Sequence, residues 1–238
     1  GPSDEFGKMH GYKPGFAYQA GIAPLLRFAI TGILNYQGES NAQEKERVEE
    51  YAALSALMIN NYLSKWKKNL PYYFVQLSSI DTVQYKGQLW PQFRNEQRKM
   101  LALIPNSGMA VSSDHGAAND VHPTNKKTVG ERLANLALNN GLKSPIYQKS
   151  TVKGNKITIS FNTKEKLISK NNEILKGFEI AGNDQKFYPA KAEIKKNKIV
   201  VTCEKVSNPV AVRYGWKGDD SEINLFTEKG LPIAPFRT

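Results

Sequence analysis

The chain has 238 residues, 40% hydrophobic and 23% charged, a composition ordinary for a globular protein with one large core or two modest ones. No apolar run approaches the roughly 18 residues that span a bilayer, and the opening residues lack the basic-then-apolar layout of a signal peptide. The net charge of +11 is spread as scattered lysine, with 17 Lys/Arg against 10 Asp/Glu in residues 146–238 and 16 against 12 in residues 1–145; this describes a solvated surface and argues against a nucleic-acid face.

Residues 1–7, which open "GPSDEF", read as a cloning remnant or linker and carry no fold information. "AITGILNY" (29–36) then reads as a buried strand. From Gln43 a helical pattern follows, with Val48, Tyr51, Leu54, Leu57, Met58 and Tyr62 along one face. Its acids lie early and its lysines late, as the helix dipole favours. "YYFVQLSS" (72–79) is a second strand, "PQFRNEQRKMLALI" a second helix, "GMAVSSD" a third strand, and a third helix starts after Asn125. Strand–helix alternation of this kind predicts a parallel sheet covered on both faces.

After "GLKSP" the texture changes to short β-rich runs, among them "KITISFN", "GFEIAGND" and "KIVVTCE", separated by Gly, Asn and Pro turns. These predict a small antiparallel β-sandwich over residues 146–238, with the boundary near Ser144–Gln148 and an α/β domain over 8–145. Cys203, the single cysteine, sits in one of the strands and reads as a buried inert thiol. Trp216 and Tyr214 in "VRYGW" read as core aromatics, with sugar stacking as the alternative.

In an open parallel sheet, function gathers in loops at the carboxyl ends of strands. Two such loops are rich in reactive types: "YQGESN" (36–41) after the first strand, and "SSDHGAANDVHPTN" (112–125) after the third. His122 can act as a base if an acceptor orients its second ring nitrogen, and Asp120 or Asp114 is near enough in sequence. The competing reading is a polar turn in which Asp120 only closes an Asx-turn. In the first loop Gly38 permits a sharp turn and Gln37 can aim an amide at a developing oxyanion, with Glu39 and Asn41 ordering the loop. The competing reading there is helix capping by Ser40 or Asn41.

Taken together, "APLLRFAITGILNYQGESN", "WPQFRNEQ", "NDVHPTNKKTVGERLA" and the closing "GLPIAPFRT" resemble the sialate O-acetylesterases of the SGNH hydrolase superfamily, from about Ala23 to Thr238. The resemblance implies part of a flavodoxin-like SGNH α/β domain followed by a β-sandwich, and hydrolysis of acetyl esters on sialic acid, expected at the 9-O position, by a serine nucleophile without metal or organic cofactor. It implies His122 as base and Gln37 in the oxyanion hole. It also implies a secreted or periplasmic enzyme. The superfamily pattern Asp-x-x-His has Asn119 at its first position here, which leaves Asp120, Asp114 or Glu39 as the acid, Asp120 being favoured.

The nucleophile of that family lies in a "GQSNM"-like motif, and no such segment occurs in this sequence. Ser40, Ser112 and Ser113 are poor substitutes. The expectation is that the chain is the C-terminal portion of the enzyme and depends on an N-terminal fragment that carries the serine. Two alternatives stay open: a non-catalytic carbohydrate-binding remnant of an esterase, and an esterase acting on acetylated polysaccharide.

Overall fold

A computed structural model describes residues 14–81, 89–117 and 120–238. Three short parallel strands form the first sheet: β1 (Ile33–Asn35), β2 (Tyr72–Gln76) and β3 (Ser107–Val111), in the order β1-β2-β3. Helices α1 (Lys45–Trp66) and α2 (Trp90–Leu103) connect them, and α3 (Lys126–Leu138) follows β3. The two-residue alternation of a strand sends Tyr72, Phe74, Met109 and Val111 to one face, where Tyr51 and Ile59 of α1 and Phe93 and Met100 of α2 complete a core. Val75 and Ala110 point the other way, onto Val129 and Leu133 of α3.

The reading of residues 29–36 as a buried strand needs correction. Only Ile33–Asn35 pair, with Tyr72–Phe74, and Leu34 is 62% exposed. The register gives the reason: Leu34 lies opposite Tyr73, on the α3 face of the sheet, and α3 packs on β2 and β3. Among the described residues the outer edge of β1 is unpaired.

The stripe read along α1 is also rotated from the face that packs. Val48 and Tyr51 are buried as expected, but the rest of the buried face is Ala52, Ser55 and Ile59, while Leu54, Leu57 and Met58 are exposed. The buried set follows helical spacing, and its small members Ala52 and Ser55 let α2 approach closely. Capping differs too. Asn41 opens a short 3-10 turn, Asn41–Gln43, and Glu44 precedes α1 with no side-chain cap. Among the described helices α3 carries a side-chain cap, Asn125 Oδ1 accepting from the Thr128 amide at 3.3 Å.

Ten strands follow. These are β4 (Tyr147–Lys153), β5 (Lys156–Phe161), β6 (Leu167–Ser169), β7 (Phe178–Ala181), β8 (Phe187–Pro189), β9 (Lys191–Lys195), β10 (Lys198–Thr202), β11 (Ala211–Tyr214), β12 (Leu225–Thr227) and β13 (Phe236–Arg237). Two four-stranded antiparallel sheets, β4-β5-β10-β9 and β13-β11-β7-β8, face each other across a shared core. Ile157, Ile159, Ile199 and Val201 come from one sheet, and Phe178, Ile180, Val212 and Phe236 from the other. Tyr214 is fully buried there, its hydroxyl accepting from the Leu225 amide. Trp216 remains half-buried outside that core. Cys203 is half-buried at the core margin rather than fully enclosed.

The β-rich part is fastened to the parallel sheet where β2 ends. The Arg94 guanidinium donates to the carbonyls of Leu77, Ser78, Lys217 and Gly218 and pairs with the Asp220 carboxylate. The Ile80 amide donates to Gly218 O, and the Asp220 amide to Ser79 Oγ. The Arg94 guanidinium and the Asp220 carboxylate, both removed from water, are thus each partnered.

Candidate active site

The loops after β1 and β3 both leave the carboxyl edge of the parallel sheet. A row of hydroxyls joins the strand ends beneath them: Tyr36 Oη to Ser78 Oγ at 2.8 Å, Ser78 Oγ to Ser112 Oγ at 2.9 Å, and Ser112 Oγ to the Gln76 carbonyl at 2.6 Å. Proton counting fixes its direction. The carbonyl only accepts, so Ser112 donates to it and accepts from Ser78, which in turn accepts from Tyr36. Burial raises the Tyr36 pKa, which keeps that donor proton in place.

In the first loop the Gln37 amide is held at both ends. Its Nε2 donates to Asn41 Oδ1 at 2.7 Å, and its Oε1 accepts from the Tyr51 hydroxyl at 2.8 Å. Burial raises the Tyr51 pKa strongly, which keeps its hydroxyl protonated and able to donate to Gln37 Oε1. Among the described residues the second Nε2 proton of Gln37 meets no acceptor and can serve a ligand. Gly38 has φ +139°, and a Cβ placed there would run into the Phe93 ring of α2. The glycine is therefore required both by the turn and by the close approach of α2.

The second loop begins as an extension of the β2–β3 pairing. Ser79 and Gly116 form a parallel bridge, and the Ser79 amide donates to His115 O at 2.8 Å. Asp114 is taken by α3: Arg132 donates to both carboxylate oxygens, at 2.6 and 2.7 Å, and also to Val111 O. A carboxylate so engaged is a brace for the loop. Asp120 Oδ1 accepts from the His122 amide at 2.8 Å, closing an Asx-turn, and lies 3.8 Å from His122 Nδ1. The Asx-turn reading of Asp120 is the one met by a hydrogen bond; at 3.8 Å the carboxylate stands beyond hydrogen-bond distance of the ring nitrogen. His122 projects outward, its side chain 83% exposed. Asn119, where the superfamily pattern has Asp, lies outside the described residues. Lys126, the first residue of α3, sits over the Tyr36 ring at 4.8 Å and links the two loop roots.

Ser112 and Ser113 are fully buried, and Ser40 is exposed in the first loop. Among the described residues His122 makes no side-chain hydrogen bond to a serine hydroxyl. Three supporting residues escape a sequence reading: Tyr51, which anchors Gln37; Arg132, which holds Asp114; and His115, whose Nδ1 lies 3.2 Å from Asn125 Nδ2 and ties the loop's two ends. An arginine on the apolar stripe Val129–Leu133 of α3 was the one available signal, since a buried arginine requires an acid.

A model of the carbohydrate esterase family described as sialic acid-specific acetylesterase matches residues 16–139, which include both loops. The sialate O-acetylesterase of Rattus norvegicus is 28% identical over 133 residues, 49% of this chain and 24% of that protein. Its Mus musculus counterpart is 26% identical over 257 residues, 92% of this chain and 46% of that protein. The crystal structure of a carbohydrate acetylesterase from Xanthomonas citri superposes with a TM-score of 0.84 at 37% identity, over 91% of this chain and 52% of that one. The chain thus spans about half the length, or less, of the relatives it matches. It belongs to the sialic acid-specific acetylesterase family of carbohydrate esterases.

Proposed function

We propose that this chain forms the base-bearing and oxyanion side of a serine esterase that removes acetyl groups, 9-O-acetyl foremost, from sialic acid. The observation that carries the reading is the shared sheet edge: the Gln37 and His122 loops open on the same side, rooted in one hydroxyl relay, within the segment matched by the family. In the reaction, a serine Oγ attacks the acetyl carbonyl as His122 Nε2 takes its proton. His122 Nδ1 faces Asp120, whose carboxylate steadies the imidazolium. The free Gln37 N–H supports the tetrahedral oxyanion. Collapse expels the sugar oxygen, which takes the proton from His122. Water, activated by the same histidine, then releases acetate from the acetyl-enzyme.

The serine comes from an N-terminal portion of the same enzyme, outside this chain. Relatives longer than this chain, the edge of β1 left unpaired among the described residues, and the exposed Leu34, Leu54 and Leu57 support that arrangement. The test is acetate release from a 9-O-acetyl sialoside by this chain together with its upstream portion. His122→Ala is expected to abolish turnover, and wild-type-like turnover in that variant would remove the proposal. A fluorophosphonate label on a serine of the upstream portion separates the esterase from a carbohydrate-binding remnant, which has no activated serine.

A further inference from the structure

Lysines scattered along the sequence of the β-rich part gather in register on one of its faces. In the sheet β4-β5-β10-β9, Ile157, Ile159, Ile199 and Val201 point into the core, so the alternate residues face outward. The pairing sets these in rows across the strands. Lys153 lies opposite Lys156, Lys156 opposite Thr202, and Thr202 opposite Lys191. Towards the other end of the sheet, Lys149 lies opposite Ser160, and Lys198 opposite Lys195. The row between holds Thr151, Thr158, Val200 and Glu193. At about 3.3 Å per residue and 4.8 Å per strand spacing, the lysines frame a pad of about 13 by 14 Å.

Like charges stand directly across the strands at Lys153–Lys156 and Lys195–Lys198, beside the two hairpin turns, an arrangement that destabilises a sheet. Protection of sheet edges accounts for the lysines of the outer strands β4 and β9. It does not account for Lys156 and Lys198, which lie on the inner strands β5 and β10. The charge is also poorly matched. Glu193 pairs with Lys191 and Lys195, whereas Lys149, Lys153, Lys156 and Lys198 are exposed and have no ion pair among the described residues. A cavity of about 660 Å3 adjoins the first row, where Lys156, Lys191 and Thr202 meet Lys205 beyond the end of β10.

The chemistry of the pad separates one polyanion from the others. Its centre sets the hydroxyls of Thr151, Thr158 and Ser160 between the ammonium groups, which suits a polymer bearing both acidic and hydroxyl groups. Among the described residues the outward positions of the four strands hold no arginine and no aromatic ring, the groups that stack on nucleic-acid bases and seat in a bilayer interface. We infer that this face of the sandwich is a docking surface for an acidic polysaccharide, its carboxylates against the lysine rows and its hydroxyls against the threonines between them. The inference rests on the carbohydrate reading above for the class of ligand, but on none of the catalytic residues.

The experiment titrates the 238-residue chain by calorimetry with polysialic acid and, at the same low ionic strength, with neutral dextran, single-stranded DNA and phosphatidylserine vesicles. Polysialic acid is expected to bind saturably and to be released by added salt. Lys156→Gln and Lys198→Gln are each expected to weaken binding by about fivefold, and the two combined with Lys149→Gln and Lys153→Gln to abolish it. These substitutions lie on an exposed face and relieve cross-strand repulsion, so melting temperatures without polymer are expected to match or exceed that of the wild type. Absence of saturable binding, equal binding of dextran, tighter binding of DNA or vesicles, or an unchanged affinity in the fourfold variant would each overturn the docking surface. His122→Ala is expected to bind as the wild type does. Acetate release by the intact enzyme that survives in His122→Ala, with polymer binding intact, would sink the esterase reading and leave the docking surface standing.

Discussion

Arg94 and Asp220, 126 positions apart, form an ion pair whose side chains are 0% and 1% exposed. Arg94 also satisfies four backbone carbonyls, two from the end of β2 and two from the 217–218 turn of the β-rich part. Removing it strands those carbonyls and the carboxylate together. Arg94→Met is expected to cost about 3–5 kcal/mol in denaturant unfolding, the range for breaking a buried pair. Arg94→Lys is expected to recover little of that loss, because an ammonium has three donors and no planar fork. Recovery to wild-type stability in Arg94→Lys would show that charge alone suffices.

The same pair gives a pH signature. Burial pushes Asp220 from its ordinary 3.8 to about 6, against the pull of Arg94. Between those values the folded state holds a proton that the unfolded state has released. Asp220's contribution to stability is therefore full below about 3.8 and lost as pH rises through about 6. Relative to Asp220→Asn, which cannot titrate, the wild type is expected to gain stability as pH falls from 6 towards 4. Parallel unfolding curves for the two proteins across that window would contradict the assignment.

Gly38→Ala is expected to disturb the first loop without touching a catalytic group. The new methyl meets Phe93, and alanine disfavours φ +139°. Strain and overpacking each cost about 1–3 kcal/mol in comparable sites. A stability loss below 1 kcal/mol would mean that α2 yields more readily than its packing on Tyr51 suggests.

Tyr51→Phe separates orientation from stability. It removes the donor to Gln37 Oε1 while keeping the ring on Phe93. On the proposed oxyanion role of Gln37, turnover by the intact enzyme is expected to fall by about tenfold or more, less than the hundredfold-plus loss expected for Gln37→Ala. An unchanged rate would show that Asn41 alone orients the amide.

Asn125 serves two partners: its carbonyl caps α3 and its amide nitrogen lies against His115 Nδ1. Asn125→Asp keeps the cap and loses the donor, whereas Asn125→Ala loses both. The expected order of stability is wild type, then Asp, then Ala, with the Ala variant lower by about 1 kcal/mol for the cap. Thermal melts would check the order.

What the sequence disclosed followed local rules. The β-rich half is legible because its strands alternate and its turns carry Gly and Asn, and α3 because Asn125 precedes an apolar period. The two loops are legible because reactive residues sit just past strand ends. What it hid depends on partners distant in the chain. Leu54, Leu57 and Ile59 have similar hydropathy, and only the position of α2 decides that Ile59 is buried and the leucines are not. Asp114 and Asp120 look interchangeable near His122 until Arg132, 18 positions after Asp114, claims one of them. Asp220 gives no local sign that Arg94 is its counter-ion.

The hydroxyl row under the loops has a mechanical consequence. Each link lies at or just beyond the last ladder bond of a strand, where it adds to the Ser79–Gly116 bridge in resisting the sliding of one chain lengthwise past its neighbour. Tyr36, Ser78 and Ser112 act there as a register pin, and because every proton in the row points the same way, no link can reverse alone. The spacing between the two loop roots is thereby decoupled from what the loops carry, so their tips can vary in length and chemistry over an unchanged footing.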